Sequence, residues 1–285
     1  MVASKAKRLV NAVCKRLGKS RQAWYKALKS RLRHEVNEAL ILELVREERE
    51  VNPMAGTKKV LAAIRPKLRK AGFDIGRNRL GEILRRNGML VDRRKSFRCR
   101  TTRQDPSLAP APNLVKDMEV TAPNQALCAD ITYIYTDEGF LFLSLVMDMF
   151  VRAIVGFAIE TTLSTQGPLE ALRMASKALR GIQGVVAHSD RGCQYASHAY
   201  RELLESLGWK SSMTEELHCY ENAMAERLNG ILKGEYFLDR RFKTKAEAIA
   251  AIREAIHIYN TRRLHEKLGY RTPSQFRAEW QKEVA

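Results

Sequence analysis

No run of apolar residues in this 285-residue sequence is long enough to cross a bilayer, and no signal-peptide-like segment opens it. The expectation is a cytoplasmic chain with no membrane partner. Cysteine is sparse: five residues, Cys14, Cys99, Cys128, Cys193 and Cys219, are scattered without a C-x-x-C pair. An odd, dispersed set excludes a disulfide framework and leaves reduced thiols. His218–Cys219 has no second pair at finger spacing, which argues against structural zinc. Acidic residues are the other shortage, 32 Asp and Glu against 50 Lys and Arg, for a net charge of +18. The deficit is local. Residues 1–104 hold 29 basic and 9 acidic side chains, whereas the remainder holds 21 and 23. A surface that basic attracts polyanions, and phosphate contacts from Lys and Arg supply most sequence-independent affinity for nucleic acid. Nucleic acid is therefore the expected partner.

The N-terminal third reads as helices. "NAVCKRLGKS" followed by "RQAWYKAL" places a helix end at Gly18 and a start at Ser20, ahead of the amphipathic "VNEALILELVREERE". "TKKVLAAIRPKLRKAG", the turn "DIG" and "RNRLGEILRRNGM" form a second helix-turn-helix-like unit. Its Arg77, Arg79, Arg85 and Arg86 are candidates for a DNA groove. Lys58 and Lys59 before them and the run Arg93, Arg94, Lys95 after them extend that candidate surface; the bland alternative for each is a solvated helix face. Four prolines between Pro106 and Pro123 mark a linker. The expected organisation is a helical region over 1–50, a basic DNA-binding unit over 51–104, a linker over 105–123 and a larger domain over 124–285.

Beyond the linker the spacing predicts three antiparallel strands in "ALCADITYIYTDEGFLFLSLVMDMFVRAIVGFAIETT". Helix "TQGPLEALRMASKALRG", strand "GVVAHSD", helix "SHAYRELLESLGW", strand "KSSMT" and a helix from Glu221 follow, a mixed α/β layer fold. Asp130 interrupts an apolar strand, and Asp190 stands where "VVAHSD" stops. Glu226 follows on a helix after 35 intervening residues. Three carboxylates brought to one place could hold two divalent cations about 3.5–4 Å apart, the arrangement suited to phosphodiester displacement. Oxygen ligands favour Mg²⁺ or Mn²⁺. Singly, each acid is as well explained as a turn cap or a solvated side chain. On the same helix Lys233 lies seven residues after Glu226, within about 20° of the same line, and Asn222 lies one turn before it. A stripe facing water has the same spacing.

"DITYIYT", "HSDRGCQYAS", "YENAMAERLNGILKGEYF" and "YNTRRLHEKLGYRTPSQF" together resemble the OrfB-type transposases of bacterial insertion sequences of the IS-three group, DDE recombinases with a retroviral-integrase-like core. "MAGTKKVLAAI" and "GRNRLGEILRRNGML" are similar to the helix-turn-helix region of the same family. The resemblance implies an RNase H-like mixed sheet flanked by helices, with Asp130, Asp190 and Glu226 as the metal-binding triad for two Mg²⁺ or Mn²⁺ ions. It places Lys233 on DNA near the scissile end and Asn222 in the family's "DNA" word, here "ENA". It implies cleavage of element ends by water and their joining to target DNA through the 3′-OH, without a covalent protein–DNA intermediate. A homo-oligomer on DNA and an upstream OrfA protein or fusion are the implied partners. Departures are Glu221 for Asp, Cys128 for a common Trp, and "EELH" for a glycine-bearing loop. His188 is open between orienting a carboxylate or touching substrate and a structural hydrogen bond, His265 has no derivable role, and Arg262 and Arg263 beside it are candidate phosphate contacts. A catalytically silent DNA-binding regulator and an RNase H-type nuclease are the alternatives.

Overall fold

The computed structural model describes residues 10–91, 110–215 and 222–284, and only the backbone of residues 30–35. Arg93, Arg94, Lys95, Glu221 and the His218–Cys219 pair lie outside the described residues. The chain divides into two compact units, Met1–Glu50 with Val60–Leu90, and Val51–Lys59 with Val91–Ala285.

The first unit is helical. Residues 10–16 form α1, and Gly18 leaves it with φ +60, the left-handed geometry that ends helices. Ser20 Oγ then accepts from Ala23 N at 3.1 Å. The following helix, α2 (Arg21–Val51), runs unbroken through both segments that the sequence suggested. α3 (Thr57–Lys70) and α4 (Arg77–Arg86) bury Val60, Leu61, Ile64 and Leu68 and Leu80, Ile83 and Leu84 respectively, the i, i+3, i+4 stripe of an amphipathic helix. Gly72, at φ +84, turns the chain between them, and Asp74 holds the turn by accepting from Arg65 Nε at 3.2 Å and Arg69 Nε at 3.1 Å.

The second unit is built on a five-stranded sheet ordered β3-β2-β1-β4-β5. β1 (Ala126–Thr136), β2 (Gly139–Asp148) and β3 (Ile154–Glu160) form an antiparallel meander, while β4 (Val186–Ser189) and β5 (Lys210–Met213) add in parallel beyond β1. Strand periodicity separates two cores. Leu127, Ala129 and Val146 face α5 (Gln166–Ala178) and α7 (His198–Ser206), with Leu172, Ala175, Tyr200 and Leu204 packed on them. Cys128, Ile134, Leu141, Leu143 and Leu145 face α8 (Ala223–Glu235) and α9 (Lys245–Thr261), which contribute Leu228, Leu232, Ile252 and Tyr259. A short helix that the sequence did not suggest, α6 (Cys193–Ala196), lies between β4 and α7. β3 meets α5 so closely that a Cβ on Gly156 would lie 2.1 Å from the Ala171 carbonyl oxygen. α10 (Pro273–Val284) closes the chain, its Phe276 and Trp280 rings 5.6 and 4.8 Å from Phe150. Antiparallel meander, parallel extension and helices on both faces make the RNase H-like sheet expected from the sequence.

Candidate active site

β1 and β4 pair in parallel at Ala126↔Val186, Leu127↔Ala187 and Cys128↔His188. Continuing that register by two residues brings Asp130 opposite Asp190. Neighbouring strands lie about 4.8 Å apart, so two carboxylates 60 residues apart in sequence become neighbours at the point where β4 ends. Past Cys128 this edge of β1 is left by β4 and meets α8. Asn222 Nδ2 donates to the Ala129 carbonyl at 3.4 Å, Asn229 Nδ2 donates to Asp130 Oδ2 at 2.7 Å, and Lys233 Nζ lies 4.2 Å from the centre of the Tyr133 ring. Residues 222, 226, 229 and 233 are spaced 4, 3 and 4 apart, which is one face of a helix. α8 therefore lies along β1 with Glu226 on the face that meets Asp130, and that is why the sequence spaces an amide, an acid, an amide and a lysine in this way.

The Asp130 carboxyl feels the charges of the other two acids. Burial, with the charges of Asp190 and Glu226 behind it, pushes the Asp130 carboxyl up from 3.8 to about 7, while hydrogen bonds from its own Ile131 N–H and from Asn229 pull the other way. Asp190 is held by a tight turn: its Oδ1 accepts from Gly192 N at 3.0 Å, and a Cβ at 192 would stand 3.0 Å from that same oxygen. A side chain at 192 would crowd the carboxylate, which would have to give by a few tenths of an ångström. Tyr195 lies buried below, and its phenol is pushed well up, first by burial and then by the Asp130 charge.

Among the described residues, no three His, Cys, Asp or Glu side chains stand close enough to hold a metal ion as placed; Glu226 is exposed in the first turn of α8. The donor chemistry nonetheless fits a hydrated hard cation. Asp130 feels the negative charges of Asp190 and Glu226, and the buried Oδ1 atoms of Asn222 and Asn229 on α8 accept no hydrogen bond among the described residues, which the water ligands of such a cation would supply. Asn229 was missed by sequence reasoning. Its signal was present, three residues after Glu226 on the same face, but an Asn on a helix has no meaning until the strand opposite is known.

The remaining expectations divide. His188 is buried, and its Nδ1 lies 2.9 Å from Ser212 Oγ, which also accepts from Leu114 N at 2.9 Å, tying β4 to β5 and to the chain ahead of β1. Arg77, Arg79, Arg85 and Arg86 are all exposed on α4, with Arg79 paired to Glu82 at 3.3 Å and Arg86 to Glu38 of α2. Arg262 is exposed. Arg263 is a correction: it is 4% exposed, and both arms of its guanidinium reach Glu235 at 2.8 Å, so it has no face for a DNA phosphate. Lys59 is half-buried, its ammonium lying 3.0 and 3.2 Å from the Glu235 carboxylate oxygens. Lys58 pairs with Glu266 at 2.7 Å on the surface. Each of these lysines is turned toward an acid of its own unit. The described cysteines Cys14, Cys128 and Cys193 are free thiols, and no described helix is long and apolar enough to cross a membrane.

Residues 120–219 and 207–273 match two families, each described as Integrase core domain. The Insertion element IS600 uncharacterized 31 kDa protein of Shigella sonnei is 34% identical over 277 residues, covering 96% of this chain and all of its own length. The Transposase for insertion sequence element IS904 of Lactococcus lactis is 33% identical, covering 73% of this chain and 83% of that one. Transposase InsF for insertion sequence IS3A of Escherichia coli K12 is 27% identical, covering 94% and 93%. With the mixed sheet and its paired acids already in place, these likenesses mean that the chain belongs to the integrase-core transposases of the IS3 type and is a DNA transposase of an insertion sequence.

Proposed function

We propose that this transposase cleaves and joins DNA at the junction of β1, β4 and α8, with Asp130, Asp190 and Glu226 holding two divalent cations, Mg²⁺ or Mn²⁺. The carrying observation is the placement of Asp130 between Asp190 on the neighbouring strand and Asn229 on α8. When bound, the cations would lower the pKa of an attacking water or 3′-OH and neutralise charge on the phosphodiester. The protein's own residues do the rest. Asn229 orients Asp130, the Gly192 N–H and tight turn orient Asp190, and α8 carries Glu226 on its solvated first turn. Lys233 receives a phosphate near the scissile bond; Tyr133 beneath its ammonium keeps it over the strand that bears Asp130. Hydrolysis of one strand at the element end leaves a 3′-OH and a 5′-phosphate. The 3′-OH then attacks a target phosphodiester and expels a new 3′-OH, so one bond forms as one breaks.

The exposed arginines of α4 supply duplex affinity through phosphate contacts, and a homo-oligomer on DNA, with an OrfA partner or as a fusion, brings two ends together. The test uses a linear duplex ending in the element's own terminal repeat, incubated with the full chain and Mg²⁺. Joined products are expected, and Asp130→Asn, Asp190→Asn or Glu226→Gln should abolish both cleavage and joining while DNA retention persists. Cleavage without joining would mean a nuclease. Retention alone, in the parent protein, would mean a silent binder. Near-parent activity in any one variant would remove that residue from the triad.

A further inference from the structure

The C-terminal words "YNTRRLHEKLGY" do not touch the carboxylates, yet they are tied to the helix that carries two of the expected functional residues. α8 ends at Glu235, two residues after Lys233. The Glu235 carboxylate accepts from Arg263 Nε at 2.8 Å and Nη2 at 2.8 Å, the two-armed geometry available to a guanidinium and not to an ammonium. Lys59 Nζ reaches the same two oxygens at 3.0 and 3.2 Å. Arg263 is itself boxed in: its guanidinium carbon lies 5.7 Å from the centre of the Tyr259 ring, and its Nη1 lies 3.1 Å from His265 Nε2. The His265 ring packs edge-on to Tyr259 at 5.0 Å, and its backbone pairs with Arg271. Asn260, three residues upstream, bonds both the N–H and the carbonyl of Ile154 at 2.9 Å, anchoring the motif to β3. Tyr236, the next residue of the chain, donates to Asn52 Oδ1 at 3.1 Å.

The last turn of α8 is thus held from the α9 end, from β3 through Asn260, and from the Asn52–Lys59 segment. We propose that Arg263 is the positioning residue for Lys233: by gripping Glu235 it fixes the final turn of α8 and with it the place at which the Lys233 ammonium meets substrate phosphate. Every group facing the pair fits that role. Burial and then the Arg263 charge push His265 down to about 3, so it stays neutral and adds no competing charge. Burial pushes the Glu235 carboxyl up, but the hydrogen bonds and charges of Arg263 and Lys59 together outweigh it and hold the carboxyl below its ordinary range. A lone buried acid here would repel the DNA backbone two residues from the lysine meant to bind it; the guanidinium and Lys59 mask it.

The proposal rests on Lys233 meeting DNA, and a double-mutant cycle keeps the two readings apart. Strand transfer by the full chain, at fixed Mg²⁺ and with varied DNA-end concentration, is measured for the parent, Arg263→Lys, Lys233→Ala and the pair. Arg263→Lys should lower kcat/KM about tenfold, in the range of coupling between residues of one network. In the Lys233→Ala background the same change should cost less than about twofold, since the lysine it positions is gone. Glu235→Gln, which keeps shape and drops the charge, should show the same dependence and carries the test if Arg263→Lys does not fold. Equal losses in both backgrounds, or no loss in the parent, would overturn the positioning role and leave a purely structural ion pair. Parent-like activity of Lys233→Ala itself would instead remove the reading of Lys233, and the clamp with it.

Discussion

Replacing Asn229 with alanine probes the residue that only the structure revealed. The change removes a side-chain donor to Asp130 Oδ2, the only one among the described residues, a 2.7 Å hydrogen bond to a carboxylate. A hydrogen bond to a charged group is worth about 1.5–3 kcal/mol, and partners that orient a metal ligand typically account for roughly 10–100-fold in metal affinity. The half-saturating Mg²⁺ for strand transfer should therefore rise by about that factor, with a smaller loss of rate at saturating Mg²⁺. A second consequence concerns protonation. The Asn229 bond is one of two that hold the Asp130 carboxyl down against burial and the charges of Asp190 and Glu226. Without it the proton is retained to higher pH, and the acidic limb of the pH–rate profile should move alkaline. The assay is a Mg²⁺ titration of strand transfer at several pH values, beside thermal unfolding of the cation-free protein as a check on folding. An unchanged Mg²⁺ requirement together with an unchanged acidic limb would refute the idea that α8 orients Asp130.

The raised Asp130 carboxyl also makes stability depend on pH. The folded form keeps a proton up to about 7 while the unfolded chain loses it near 3.8, so Asp130 reduces stability as pH rises through that window. With chelator present, the Tm of Asp130→Asn minus that of the parent should grow from pH 4 to pH 8; a flat difference would mean that the fold does not raise the Asp130 carboxyl. Gly156→Ala should destabilise by about 1–3 kcal/mol in urea unfolding, because its Cβ would meet the Ala171 carbonyl oxygen at 2.1 Å; a cost below about 0.5 kcal/mol would mean that β3 and α5 are less tightly apposed. Arg77→Ala and Arg85→Ala in the full chain should each reduce the slope of log K against log salt for duplex DNA by about 1, and a slope equal to the parent's would take that residue off the DNA surface.

Composition and pattern were enough for much of this protein. A net +20 in residues 1–104 pointed to nucleic acid, since charge density acts at a distance and needs no fold. Period-two runs placed β1, β2 and β3, and Gly18 and Gly72 marked the ends of α1 and α3, because backbone sterics are local. Asp130, Asp190 and Glu226 were singled out as candidates by the words around them. What lay beyond the sequence was whatever depends on two distant segments sharing one place. The parallel register of β1 with β4 puts Asp130 beside Asp190, and the passage of one β1 edge from β4 to α8 makes Asn229 a partner of Asp130. Arg263 shows the limit most plainly. In sequence it is one of two adjacent arginines, equally suited to a phosphate; in the fold Arg262 is left exposed while its neighbour is buried against Glu235. Burying a guanidinium demands a carboxylate partner at bonding distance, and only tertiary packing determines which of two neighbouring side chains has one.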